Sequence, residues 1–277
     1  MNKTAQLPVY DSARQGSIGL EELKAVLNYR HLIVQLIRRD ILTRYKRSVL
    51  GVAWTMLNPL GTMLILTIVF STAFGRLQEG YAAYVLSGLI AWNFFAQSTN
   101  AATLHLVWGG GLLRRIYIPR SAFAVSATGT GLVNLFLSLI PLVIVMLIIG
   151  VDIHWSALLL PIPILFLAMF ALGVGMLVSA MAVFFADIAE MYQIALTAWM
   201  YLSPVIYSAE ILPEAYRPWV MQLNPMAHLI TLFRAPIYEG RVPELSEFLV
   251  AGGISIVTLL LGWMLFTAKS DEFAYRV

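Results

Sequence analysis

Residues Arg38 to Pro59 read RRDILTRYKRSVLGVAWTMLNP. Five cations (Arg38, Arg39, Arg44, Lys46 and Arg47) are followed by a run without charge that lasts from Gly51 to Phe74. That run of 24 residues makes a helix of roughly 36 Å, enough to cross a hydrocarbon core of about 30 Å. Lysine and arginine just before a span hold that end on the cytoplasmic side. The junction therefore sets how the chain is threaded. Composition agrees: 60% of the 277 residues are hydrophobic and 12% charged, with mean hydropathy +0.79. A soluble domain carries about 25% charged residues. An integral membrane protein is expected.

Working outward, the residues before Leu20 are polar and hold no apolar core of a signal peptide. Between about 20 and 47, apolar residues such as Leu23, Val26, Leu27, Ile33, Val34, Ile37 and Ile41 recur at three- and four-residue spacing among polar ones. This predicts an amphipathic helix lying along the cytoplasmic membrane face. It is either an anchor on anionic lipid or a lever into the first span.

Residues 48–277 read as one permease domain of six spans. After the first, the second covers about Tyr81–Leu106 and is polar in its later half (Asn93, Gln97, Ser98, Thr99, Asn100). Buried amides need partners, so this face should meet other helices or a wet path. Residues 108–120 (WGGGLLRRIYIPR from Trp108) form a basic loop with one short helix. The third span is about Ser121–Gly150, tilted or broken near Pro141, and the fourth about Leu158–Phe185, with Gly173 and Gly175 allowing close helix contact. The fifth runs to about Tyr207. Residues 209–247 are proline-rich and predict two short re-entrant helices on the outer side. Phe248–Ala268 is the sixth span, before a small polar tail. With both ends in the cytoplasm, 14 of the 18 Lys and Arg fall inside and 4 outside, as the charge bias requires.

The four histidines form no ligand pair at helical spacing and cysteine is absent, so no metal site is expected. The spans carry no ionised residue away from their ends, unlike an ion-coupled transporter. No phosphate-cradling Gly-x-x-x-x-Gly-Lys loop is present. Any energy source is another chain, and the protein is not an enzyme on its own. Aromatic and small polar groups are what the spans offer. Tyr192, Trp199 and Ser203 share one helix face. Trp54, Asn58 and Phe70 lie on the first span, Trp92 and Phe95 on the second. Such a wall could let a glycan slide, and core packing explains the same residues.

The basic run with SVLGVAWTMLNPL, then LSGLIAWNFF, LLRRIYIPR and YLSPVIYSAEILPEAYRPWVMQLNPMAHLI, resembles the membrane subunit of bacterial ABC exporters for polysaccharide. The likeness runs from about Leu27 to the end, nearest to the O-antigen and teichoic-acid type. It implies a homodimer in the bacterial inner membrane, two copies of a separate ATPase that holds the ATP and magnesium, and an undecaprenyl-diphosphate-linked glycan. No nucleic acid is implied. By position, Arg38, Arg39, Arg44 and Lys46 match a basic entrance for the diphosphate. Leu112, Leu113, Arg114, Arg115, Ile116, Tyr117 and Pro119 match a helix that couples to the ATPase. Trp54, Phe70, Tyr192, Trp199 and Tyr201 fall on helices that line the sugar path. A permease for drugs or lipids is the alternative, and implies a more aliphatic path.

Overall fold

The computed structural model describes residues 18–44, 46–74, 80–108, 119–208, 213–215 and 217–276. Among these every regular element is helical. In order they are α1 (Ile18–Asn28), α2 (Arg30–Arg44), α3 (Ala53–Phe74), α4 (Tyr81–Trp108), α5 (Ser121–Ile149) and a 3-10 turn (Trp155–Leu159). There follow α6 (Pro161–Phe184), α7 (Asp187–Tyr201), α8 (Arg217–Gln222), α9 (Pro225–Ile237) and α10 (Leu245–Arg276).

Among the described residues, four helical stretches are long and apolar enough to cross a membrane: Ala53–Phe70, Ser121–Ile149, Trp155–Phe184 and Leu245–Ser270. The helix at the centre of the bundle is none of these. It is α4, which packs against α3, α5, α6, α7 and α9. Its polar residues explain why. Ser98, Thr99 and Thr103 are buried among helices, and the threonine hydroxyls donate to carbonyls one turn back. Tyr192 on α7 donates to Thr99 Oγ1 at 2.7 Å. The two threonines are thus satisfied inside the bundle, whereas the Ser98 hydroxyl is buried there without a hydrogen-bond partner among the described residues.

Close approach is built on small residues. Gly173 of α6 faces Thr258 and Gly262 of α10, where a Cβ would overlap backbone. Gly175, half a turn on, faces Ala102 of α4. Helix α5 passes through Pro141 unbroken, because that proline is buried in a packed helix. It ends at Gly150 in the left-handed conformation (φ 75°), with the Gly150 and Val151 N–H groups both donating to the Met146 carbonyl.

Some boundaries differ from the sequence reading. The expected single amphipathic helix is two, joined by a bend at Tyr29 that keeps its helical hydrogen bonds to Ala25 and from Ile33. The bend lets α1 meet α10 while α2 meets α5. On α2, Asp40 faces His105 and Arg44 faces Gln97, roughly two turns apart along α4. Buried Ile33 and Leu36 hold α2 there. Helix α7 stops at Tyr201, short of Tyr207, because Pro204 disfavours helix at the residue before it. The expected polar tail continues α10 to Arg276. Phe273 is buried there against Phe266, and Phe184 packs on it.

One end of the bundle carries α1, α2 and the charge. Glu22 on α1 accepts both the N–H and the hydroxyl of Ser121, at 3.2 and 2.6 Å, and so caps α5 from another helix. At the other end sit α8 and α9, where Asn224 opens α9 by accepting the Met226 N–H. Beyond α9, Arg241 makes a two-pronged pair with Glu247 at 2.7 Å and 2.7 Å. That carboxylate, with Glu239, holds the guanidinium above its usual range.

Candidate functional site

The turn that joins α2 to α3 places a cavity of about 270 Å³ between α3, α4 and α5. Its mouth holds Arg44 and Trp54, and its walls hold Asn58, Asn93, Gln97, Asn134 and Ser138, with Ile90, Phe94 and Leu135 as apolar panels. Arg44 donates to Gln97 Oε1 at 3.3 Å. Local chain geometry makes this space. Arg47 turns in the left-handed region (φ 66°), Gly51 follows suit (φ 51°), and the Ser48 hydroxyl accepts the Gly51 N–H. Pro59 sits inside α3 and has no N–H, so the Thr55 carbonyl loses its helical donor. The Ser138 hydroxyl lies 3.4 Å from that oxygen and 2.9 Å from the Asn134 carbonyl.

The basic entrance divides into two parts. Arg38, Arg39 and Lys46 line a shallow hollow on the outer side of α2, together with Gln35, Leu42 and Thr43. Arg44 faces the inner cavity. Arg39 also pairs with Asp40 at 2.8 Å. The other Asp40 oxygen has no hydrogen bond and stands 3.7 Å from His105 Nδ1, which likewise has none.

The aromatic residues do not form one wall. Trp92 and Phe95 are buried, and with Phe170 they surround Trp199. The Trp199 ring centre lies 5.2 Å from Phe95 and 6.2 Å from Trp92, edge to face in both cases. The Trp199 indole N–H donates to Asn224 at 2.8 Å. Phe70 is partly buried and stacks on Tyr81. Tyr192 is occupied by Thr99. Trp54 and Tyr201 are the open ones, 52% and 59% exposed, and Asn58 is exposed with them. The exposed surfaces of α3 and α7 carry Leu57, Leu64, Ile68, Met191 and Ile194 as well.

At the far end lies a residue that sequence reasoning did not single out. Arg234 of α9 is 3% exposed, and no carboxylate among the described residues pairs with it within 4.0 Å. Its guanidinium donates to the carbonyls of Pro204 (2.6 Å), Val205 (2.7 Å) and Tyr84 (2.9 Å) and to the Ser87 hydroxyl, and lies 3.6 Å from the centre of the Tyr84 ring. Gly88 leaves the room for it. Asn224 completes the lock by donating to the Leu202 carbonyl and Ser203 hydroxyl. The signal was a lone arginine inside the apolar stretch HLITLFRAPI.

Residues 31–238 match the ABC-2 type transporter family. The chain belongs to that family. Among its curated relatives is an O-antigen export system permease protein, RfbA of Myxococcus xanthus. It is 28% identical over 92% of this chain and 98% of its own length. The permease of the same name from Klebsiella pneumoniae is 25% identical over 88% of this chain and 93% of its own. The capsule polysaccharide export inner-membrane protein CtrC of Neisseria meningitidis is 25% identical over 87% of this chain and 91% of its own. The central helix, cavity and far-end lock all fall within the ABC-2 match. Of the coupling residues, Leu112, Leu113, Arg114, Arg115, Ile116 and Tyr117 lie outside the described residues, and Pro119 is buried at the root of α5.

Proposed function

We propose that this ABC-2 permease exports a lipid-linked polysaccharide, of the O-antigen or teichoic-acid kind, from the cytoplasm to the outer face of the bacterial inner membrane. One observation carries the reading: relatives named as polysaccharide export permeases align with nearly the whole chain. In this reading the chain crosses six times, with α4 and α7 as the second and fifth spans, both termini cytoplasmic, and α8 and α9 as short re-entrant helices. Two copies pair, and two copies of a separate ATPase dock on the segment around Leu113 and Tyr117 and hydrolyse the ATP. An amide-lined cavity supports a glycan over a drug or a simple lipid, for which an aliphatic path would serve.

The diphosphate of an undecaprenyl carrier arrives at Arg38, Arg39, Arg44 and Lys46. Arginine forks suit phosphate oxygens, and the pairing weakens with salt. Reversing Arg38 and Arg39 to glutamate is expected to cut binding of the lipid-linked glycan by at least about tenfold, roughly the loss of one charge-assisted hydrogen bond. The drop should be larger at low salt. Lysine at the same sites should cost less. Binding by the purified complex in nanodiscs is the measurement, with membrane insertion monitored in parallel. Unchanged affinity in a correctly inserted glutamate variant would remove the diphosphate from this surface.

A further inference from the structure

We propose that the cavity behind α3 is a binding site for one monosaccharide ring carrying the phosphate, the sugar nearest the lipid diphosphate. It rests on the polysaccharide reading above.

Three features point to that ligand. The first is unused hydrogen-bonding capacity. The side-chain amides of Asn58, Asn93 and Asn134 face the cavity, and none is bonded to another described residue. Each amide has two donors and an acceptor to offer. The Thr55 carbonyl adds a further acceptor, since Ser138 sits nearer to its own Asn134 carbonyl. Asn134 is buried and Asn93 partly buried, and unpaired amides there carry a desolvation cost that a polyhydroxylated ring removes.

The second feature is the pairing of chemistries. Phe94 and Ile90 give flat and apolar surface for the C–H faces of a sugar, with Trp54 at the rim. Arg44 stands at the mouth, and its bond to Gln97 engages one of five guanidinium donors. A phosphate bonded there would place the attached ring among the amides. The third feature is size. At about 270 Å³ the cavity lies just below the usual range for ligand sites, which starts at about 300 Å³. It holds one ring and not a chain.

The test uses the full permease with its ATPase in nanodiscs and two probes, farnesyl diphosphate and farnesyl diphosphate esterified to a single hexose. Wild type is expected to bind the hexose-bearing probe at least about tenfold more tightly. Asn93→Leu with Asn134→Leu should abolish that preference and leave farnesyl diphosphate binding within about twofold. The chain has no cysteine, so Thr55→Cys gives a single reporter on the cavity wall even if the leucine variant fails to fold. Its alkylation should be slowed by the hexose-bearing probe and not by farnesyl diphosphate. Equal affinity of wild type for the two probes, or equal alkylation rates, overturns the sugar site while leaving the diphosphate reading intact. Binding of neither probe overturns both.

Discussion

Arg234→Met is expected to destabilise the protein by about 3–5 kcal/mol, because it removes the charged donor that three buried carbonyls and a hydroxyl share. The side chain is 3% exposed and ties three carbonyls from two segments to α9. Methionine fills much of the volume but leaves the Val205 oxygen without the Arg234 donor, at about 1–3 kcal/mol for a buried group left unpaired, and leaves the Tyr84 and Pro204 oxygens only the Ser87 and Tyr84 hydroxyls as side-chain donors among the described residues. Thermal unfolding of the purified variant should move down by roughly 10 °C or more. Arg234→Lys keeps the charge but reaches fewer acceptors, so it should fall between the two. A methionine variant that melts with wild type would mean that the network holds nothing together.

Trp199→Ala is expected to be nearly as damaging, at about 3–5 kcal/mol for emptying a large aromatic site. Three rings, Trp92, Phe95 and Phe170, close on that indole, and Asn224 accepts its N–H. Trp199→Phe keeps a ring in the cluster and gives up one hydrogen bond, worth about 1 kcal/mol. Trp199→Leu should sit between phenylalanine and alanine. If the ring stacked on glycan instead, leucine would fail in export as badly as alanine while melting near wild type. Melting temperature and surface-glycan export, measured together on the three variants, separate packing from stacking. Trp54 and Tyr201 provide the contrast. Both are more than half exposed, so alanine there should leave stability within about 1 kcal/mol.

Much of this architecture was legible because membrane insertion writes itself into sequence. The uncharged run from Gly51 to Phe74 and the glycine at 150 gave helix ends within two residues of those observed. The polar half of α4 indicated a face on other helices or on a wet path, and the structure divides it: Ser98 and Thr99 are buried among helices, while Asn93 and Gln97 line the cavity. What failed was what depends on tertiary contacts. Lys269 and Glu272 made the last residues look like a tail, yet the two pair and Phe273 anchors the turn in the core. Pro141 suggested a tilt or a break, and the helix runs through it without a break.

The candidate site was legible in part. Arg44, Trp54 and Asn58 were singled out from one segment, and the structure brings them to one cavity. Asn134 and Ser138 were missed, because a single asparagine and serine in an apolar span carry no spacing signal until α5 is laid against α3. Trp92 and Phe95 share their composition with the exposed aromatics, and only packing tells the two kinds apart.

The central claim is that this permease moves a lipid-linked glycan, and reconstitution tests it most directly. The permease and its ATPase would be placed in proteoliposomes with a fluorescent glycan on an undecaprenyl diphosphate carrier, and the fraction reachable by a membrane-impermeant glycosidase followed after ATP is added. The account predicts ATP-dependent movement of the glycan across the bilayer, lost when Arg38 and Arg39 are reversed to glutamate. Movement of an uncharged drug or a sugar-free lipid at the same rate, with the glycan left in place, would contradict it.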